Sequence, residues 1–363
     1  MIIKELFGKK PCGCEVYSYT LKNDSGASVT ILTLGGIIQS INIPDKNGVF
    51  ADVVCGYDDV SSYLTNGGYQ GAIIGRFGNR IKNSRFTLDG VEYNLFNNED
   101  PNHLHGGKEG FDKKLWNAKS YQIEDTMYLE LSYFSEDMEE GYPGNLRVKV
   151  TYSFDNKNTL SINYKATTDK KTVLNLTNHA YFNLGGYNSG RIENHSLWID
   201  ADKVSVVDSK LIPTGQELIV DNTPFDFRKE KLIGQDIEAD YELLKLGQGY
   251  DHNYILNNNG TIKHIATLKD SISGREMKVY TNQTCMQIYA ANCINESESP
   301  FKNGVAQKKR CAICLETQHA PDSPNHKDFP SSELNVGELY DYTTIFKFNN
   351  WNKKSHINAT FFI

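Results

Sequence analysis

The sequence predicts an all-β protein, a large antiparallel β-sandwich with few short helices, and three observations predict it. Apolar and polar residues alternate with a period of two over long stretches. Tyrosine and phenylalanine are plentiful, at 21 and 17 of 363 residues. Clusters of Gly, Asn, Asp and Pro separate one alternating stretch from the next. Successive side chains leave a strand on opposite sides, so alternation marks a strand with one buried face. Aromatic rings suit such half-buried pleated surfaces, and the intervening clusters have turn chemistry. Many short strands joined by turns read as a sandwich.

The clearest element runs from Leu146 to Phe154. Leu146, Val148, Val150, Tyr152 and Phe154 alternate with Arg147, Lys149, Thr151 and Ser153. Asp155-Asn156-Lys157-Asn158 follows as a turn, and Leu160, Ile162, Tyr164 and Ala166 alternate again, which predicts a hairpin. The pattern recurs at Val29 to Ile43, Lys278 to Tyr280, Met286 to Ala290 and Tyr340 to Phe348. The best helical pattern spans Lys231 to Lys245, with Leu232, Ile233, Ile237, Tyr241 and Leu244 in rough helical spacing and Gly234 interrupting it. No fixed-period repeat and no low-complexity linker is present. One domain over residues 1–363 is expected, two tightly joined smaller β domains being the other arrangement.

The formal net charge of −7 and pI of about 5.8 argue against a nucleic-acid partner, which needs a basic face, and against anionic membrane. No run of ~18 apolar residues could span a bilayer. The N-terminal residues lack the pattern of a signal peptide. The seven cysteines are odd in number and scattered, unlike a secreted disulfide framework. A cytoplasmic protein with reduced thiols is expected.

Five segments break the strand pattern with dense polar groups and glycine: Gly75 to Ile81, Asn102 to Gly107, Asn175 to Gly185, Gly249 to Tyr254 and Cys311 to Gln318. Loops on a rigid sheet are where catalytic groups are usually mounted. Alternation puts Ile313 and Leu315 on one strand face and Cys314 and Glu316 on the other. A carboxylate beside so apolar a run is open to desolvation, which raises its pKa and improves it as a base near neutrality. Taken alone, such a glutamate is more often a solvent-facing strand end. His179 carries a ring that both donates and accepts protons at cellular pH, although the commoner role of a lone histidine in an apolar segment is a hydrogen-bonded core ring.

His103 and His105, two apart, would share a face on a strand. No third ligand lies near them in the chain, so metal binding is not expected. Cys311 and Cys314 would point to opposite faces, and no second such pair exists to complete a zinc site. Arg76 and Arg80 follow a glycine turn, one suited to a core carboxylate and the other to a ligand. The Lys-Ser/Thr of a phosphate loop is missing.

As an ordered set these motifs resemble the aldose 1-epimerase (galactose mutarotase) family. The matches are Gly75-Arg76-x-x-Asn79-Arg80-Ile81, Asn102-x-Leu104-His105-Gly106-Gly107 and Asn175-Leu176-Thr177-Asn178-His179-x-Tyr181-Phe182-Asn183-Leu184. They continue with Ile212-Pro213-Thr214-Gly215, Thr223-Pro224-Phe225-Asp226-Phe227, Gly249-Tyr250-Asp251-His252-Asn253, Cys314-Leu315-Glu316-Thr317-Gln318 and Pro321-Asp322. The resemblance covers nearly the whole chain.

It implies a β-supersandwich of the galactose mutarotase type with no metal and no organic cofactor. Glu316 is implied as general base and His179 as general acid. Arg80, His105 and Asp251 are implied as ligands of the sugar hydroxyls and ring oxygen, with Asn79 and Gln287 in support. The implied partner is a small-molecule aldose, with no nucleic acid or membrane, for a monomer or homodimer. Three rival readings accompany it. A hexose-phosphate 1-epimerase would use the basic run Lys308-Lys309-Arg310. A glycoside hydrolase would pair Asp251 with Glu316. The third is a non-catalytic sugar-binding module.

Overall fold

The computed structural model describes residues 1–65, 67–294 and 298–351. Strands dominate, and among the described residues the α-helices are the two short ones Val60–Thr65 and Glu242–Leu246. Among the described residues no helix is long and apolar enough to cross a membrane.

The expected hairpin forms as strands Leu146–Phe154 and Thr159–Thr168. It lies within a nine-stranded antiparallel sheet. In that sheet Tyr340–Asn350 pairs with Thr159–Thr168 on one side and Arg275–Thr281 on the other. A six-stranded sheet runs in the order Tyr181–Phe182, Ile313–Gln318, Cys285–Tyr289, Asp251–Ile255, Lys203–Val207 and Pro213–Ile219. A five-stranded meander of the N-terminal residues, Ile2–Lys9 to Phe50–Asp52, adds a third surface.

The alternating apolar residues meet in one core. Val148, Val150, Tyr152, Ile162, Val279 and Phe346 of the large sheet join Met286, Ile288, Ile313 and Leu315 of the six-stranded sheet in the same buried cluster. Burying each such large side chain contributes roughly 1.5–3 kcal/mol. That term favours the register in which every apolar face points inward.

Two expectations change. The stretch Val29 to Ile43 is two strands, Ser28–Leu32 and Ile38–Pro44. Gly35 and Gly36 separate them, both left-handed at φ +61° and +55°. A Cβ on Gly35 would lie 2.2 Å from the Asp112 carbonyl oxygen, so only glycine fits. The predicted helix Lys231 to Lys245 is instead a short strand, Lys231–Leu232, then a 3-10 turn, Ile233–Gln235, with helix confined to Glu242–Leu246. Tertiary contact overrides the spacing here. Ser196 and Leu197 pair with Leu232 and Lys231, and the Gly234 N–H donates to the Glu193 carbonyl at 2.9 Å. Ile233, Ile237 and Leu244 still face the core, so the apolar spacing reflects burial along the sheet edge.

Of the two arginines that follow the glycine turn, Arg80 is the one that pairs with a carboxylate, Glu99, and Arg76 serves another purpose. It is buried, and its guanidinium serves backbone carbonyls and the Ser135 hydroxyl. Nε donates to Ser135 Oγ at 2.9 Å, Nη1 to the Pro143 carbonyl at 3.0 Å, and Nη2 to the carbonyls of Ser135 and Glu136 at 3.0 and 2.7 Å. Burial pushes its pKa down to about 10, so it stays charged at neutral pH. Removing the guanidinium takes a charged donor from each of those carbonyls, although Glu136 keeps the Glu139 N–H. Arg76→Leu is expected to cost ~2–4 kcal/mol, read as a lower urea midpoint. An unchanged midpoint would contradict this role.

Candidate functional site

The six-stranded sheet has one face in the core and one polar face, and strand register decides which residues share the latter. Tyr181 pairs with Cys314, Cys314 with Tyr289, and Tyr289 with Asp251. In the next row Glu316 pairs with Gln287, and Gln287 with Asn253. Paired residues, and residues two apart on one strand, project from the same face. Two polar rows therefore cross the sheet, while Leu315 and Ile288 between them and Ile313 and Met286 flanking them point into the core.

The facing wall comes from two short ladders. Arg80–Ile81 pairs with His103–Leu104, and Ile73–Ile74 with Thr177–Asn178. The first ladder ends in two left-handed residues, Asn79 at φ +67° and His105 at φ +50°. They lock onto each other. The Asn79 N–H donates to His105 Nδ1 at 3.1 Å, and the His105 N–H to the Asn79 carbonyl at 3.2 Å. Asn79 Oδ1 takes the Arg80 N–H at 2.9 Å. Because His105 Nδ1 is an acceptor, the neutral ring carries its proton on Nε2. Gly106 lets the loop turn, since a Cβ there would sit 1.8 Å from the Gly75 carbonyl oxygen.

His179 is held by backbone bonds at both ends, its N–H to the Ala72 carbonyl and its carbonyl to the Gly71 N–H, each at 2.9 Å. Its ring lies between Tyr181 and Tyr69, stacked at centroid distances of 5.0 and 6.1 Å. Nδ1 is 3.4 Å from Cys314 Sγ, and Nε2 is 3.6 Å from Glu316 Oε1. Cys314 thus buttresses the ring that faces Glu316.

These walls enclose a cavity of about 360 Å³, at the small end of the ~300–1,000 Å³ typical of ligand sites. Glu316, His179, Asn79, Arg80, His105, Asp251 and Gln287 all line it. So do residues to which the sequence assigned no role: Glu99 and the tyrosines 69, 181 and 289. Tyr181 is itself part of the motif that holds His179, and strand alternation could have placed Tyr289 with Gln287. Glu99 had no signal. It grips Arg80 with two bonds, Oε2 to Nε at 2.7 Å and Oε1 to Nη2 at 2.8 Å.

Other candidates fall elsewhere. His103 and His105 do not share a face, because the strand ends at Leu104 and the backbone turns left-handed. The His103 ring is bound to the Phe96 carbonyl at 2.7 Å and the Tyr142 hydroxyl at 2.6 Å. Cys311 precedes the strand Ile313–Gln318. Arg310 is buried against Glu193, Glu238 and the Gln248 carbonyl.

The electrostatics are set by burial. The Glu316 side chain is 2% exposed, and its Oε2 has no hydrogen-bond partner. Burial, and then the neighbouring Asp251, push its pKa well above the usual carboxylate range, with Arg80 opposing. Burial lowers His179 to about 4. Burial, then His179 and Arg80, drive His105 well below the ordinary histidine value. Asp251 is raised by burial against the pull of Arg80, and its Oδ1 accepts from Gln287 Nε2 at 2.6 Å. Burial opposes the Arg80 charge, yet Asp251, Glu99 and Glu316 hold its pKa above the usual arginine value.

His179 and Glu316 are therefore no ion pair at neutral pH, despite lying 3.6 Å apart. Burial favours the form in which the two together hold one proton and no charge, across a gap wider than a hydrogen bond. Such a pair can take a proton at one point of a bound molecule and return one at another.

His105, His179 and Glu316 also place ligand atoms within 4.8 Å of one another. Two histidines and a carboxylate are a donor set that zinc accepts. The third ligand that is missing along the chain near His103 and His105 is supplied in space by distant segments.

A family model described as aldose 1-epimerase matches residues 17–347. The galactose mutarotase of Mus musculus is 41% identical over 349 residues, covering 96% of this chain and 98% of the relative. The aldose 1-epimerase of Escherichia coli (strain K12) is 36% identical over 332 residues, covering 91% and 94%. The crystal structure of galactose 1-epimerase from Lactobacillus acidophilus superposes with a TM-score of 0.86 at 28% identity, covering 97% of this chain and 99% of that one.

Both site histidines should stay neutral through mildly acidic pH. In a titration followed by ring ¹⁵N shifts, His105 is expected to show a protonated Nε2 and a bare Nδ1, and His179 a midpoint near pH 4. An ordinary midpoint near ~6.5 would overturn the buried, uncharged reading of these rings.

Proposed function

Since the chain belongs to the aldose 1-epimerase family, we propose that it interconverts the α and β anomers of free hexoses such as D-galactose or D-glucose, with Glu316 and His179 as proton carriers. The observation that carries this assignment of roles is the 3.6 Å approach of His179 Nε2 to Glu316 Oε1 in the wall of a small polar cavity.

An aldose ring is a hemiacetal. In the form of the pair whose shared proton sits on His179, Glu316 takes the proton of the anomeric hydroxyl while His179 gives one to the ring oxygen, and the bond between the anomeric carbon and the ring oxygen breaks to leave an aldehyde and a new hydroxyl. Rotation about the bond next to the carbonyl presents its other face. Closure returns both protons, so the pair is regenerated and nothing is consumed. One proton is held by the pair throughout and only its position changes. Arg80 and the His105 Nε2–H supply positive potential where negative charge grows on oxygen. Asp251, tied to Gln287, and Asn79 hold hydroxyls so that the ring sits in register. The Tyr69, Tyr181 and Tyr289 rings offer apolar surface to the C–H face of a sugar.

Neutral aldoses fit this cavity better than sugar phosphates. Glu99, Asp251, Glu298 and Glu316 are in its lining with Arg80 as the cation, and Arg80 is already held by Glu99. The basic run that might have read a phosphate has Arg310 buried in its own ion pairs. Nor does Asp251 favour the hydrolase reading, because Gln287 occupies one of its oxygens. Acid–base ring opening needs no metal, so we propose a metal-free, cofactor-free enzyme. A core cluster that runs from Tyr19 to Phe348 supports one domain. The net charge of −7 supports small-molecule aldoses as the partners rather than nucleic acid or anionic membrane. A cytoplasmic monomer or homodimer is the setting proposed.

Polarimetry of freshly dissolved α-D-galactose tests the roles. Glu316→Gln is expected to lower kcat by ~10²–10⁴ with sugar binding retained, and a variant close to the wild-type rate would refute Glu316 as base. Chelation is expected to leave the rate unchanged. Loss in chelator that zinc restores would instead make the His105–His179–Glu316 cluster a metal site.

The rate should be flat where the pair holds one proton. It should fall near pH 4 and below, where His179 gains a second. It should fall again at high pH, where Glu316, raised well above the carboxylate range, loses the last one. A rate that keeps rising through alkaline pH would contradict the shared-proton pair.

A further inference from the structure

The first hairpin of the chain carries a feature the epimerase chemistry does not use. Strands Ile2–Lys9 and Glu15–Lys22 pair antiparallel, with Lys9 opposite Glu15 as the last pair. The turn between them is Lys10-Pro11-Cys12-Gly13-Cys14. It is closed by the Lys10 N–H to the Cys14 carbonyl at 2.9 Å and the Gly13 N–H to the Lys10 carbonyl at 2.8 Å. The Lys10 side chain fastens the turn to the body through the Lys113 carbonyl at 2.9 Å. Gly13 takes φ +86°, the left-handed conformation that glycine adopts without strain, and so lets the chain reverse between the two cysteines. The two thiols emerge side by side, Sγ to Sγ 2.9 Å apart, and both are exposed.

We propose that Cys12-Gly13-Cys14 is a redox site, a dithiol that small-molecule disulfides such as oxidised glutathione convert to an intramolecular disulfide. A disulfide bond is ~2.05 Å long, so the sulfurs need approach by less than ~1 Å on a turn that solvent reaches from outside. Cys12 is the attacking sulfur. Hydrogen bonding with Cys14 lowers its pKa below the ordinary thiol value, and Lys10 adds to this. Attack proceeds through the thiolate.

The Cys12 thiolate attacks one sulfur of the small disulfide. That S–S bond breaks, and one small thiolate leaves with the electron pair. Cys14, deprotonated to solvent, then attacks Cys12 Sγ and expels the second small thiolate. The protein loses two electrons and two protons, and the small disulfide is reduced to two thiols. The other thiols are placed differently. Cys55, Cys285, Cys311 and Cys314 are buried, and Cys293, though exposed, belongs to the cavity wall.

Mass spectrometry of the intact folded chain tests this. Tryptic peptide 10–22 holds both cysteines, since cleavage between Lys10 and Pro11 is blocked. After exposure to oxidised glutathione and alkylation of remaining thiols, that peptide is expected to be lighter than its reduced form by two hydrogen atoms. It should carry neither glutathione nor alkyl group, and should return to the dithiol on reduction. Cys14→Ser should stop at the first step, with one glutathione on Cys12. A wild-type peptide that retains glutathione, or one that stays reduced while Cys293 reacts, would overturn the proposal.

Discussion

The pairing of Glu316 with Gln287 across the centre of the six-stranded sheet is the contact on which the site depends. A strand has a side-chain period of two, so a slip of one residue exchanges its faces. Such a slip would send Glu316 into the core and turn Leu315 to the cavity. What forbids it is the apolar face, where Ile313, Leu315, Met286 and Ile288 pack into the main cluster at roughly 1.5–3 kcal/mol each. Core burial on one side of the sheet thereby fixes catalytic geometry on the other.

Burial also supplies the chemistry. A carboxyl group and two imidazoles are kept in a cavity whose walls withdraw water, and each responds by disfavouring its charged form. Raising Glu316 and lowering His179 separates their proton affinities in the direction that leaves the pair with one proton over a wide pH range. Arg80 limits the effect. Its charge opposes the upward shifts of both Glu316 and Asp251, and Glu99 holds it in place. Glu316 Oε2 and Gln287 Oε1, which no protein group satisfies, are the oxygen atoms available to a ligand's hydroxyls.

Precision on the facing wall comes from backbone conformation. Asn79 and His105 occupy left-handed positions and exchange hydrogen bonds with each other. Each is held where a longer or branched side chain would be strained, and the same bond sets the proton on His105 Nε2. The same kind of constraint appears in the first hairpin, where left-handed Gly13 brings two exposed sulfurs together.

The sequence by itself determined the strands and their buried faces, because alternation is a local property that each segment carries alone. It separated Glu316 and Cys314 from Leu315 and Ile313. Its motif order picked out seven residues that line one cavity. Where it misled, the deciding contacts were distant in the chain. Gly234 against Glu193 and the pairing with Ser196 turned an apparent helix into sheet edge. A left-handed turn at His105 parted it from His103. Only the tertiary structure brought His179 to Glu316 and Glu99 to Arg80. Only it closed tyrosines over the cavity and moved proton affinities by burial, since distance and desolvation belong to the packed chain and to no segment of it.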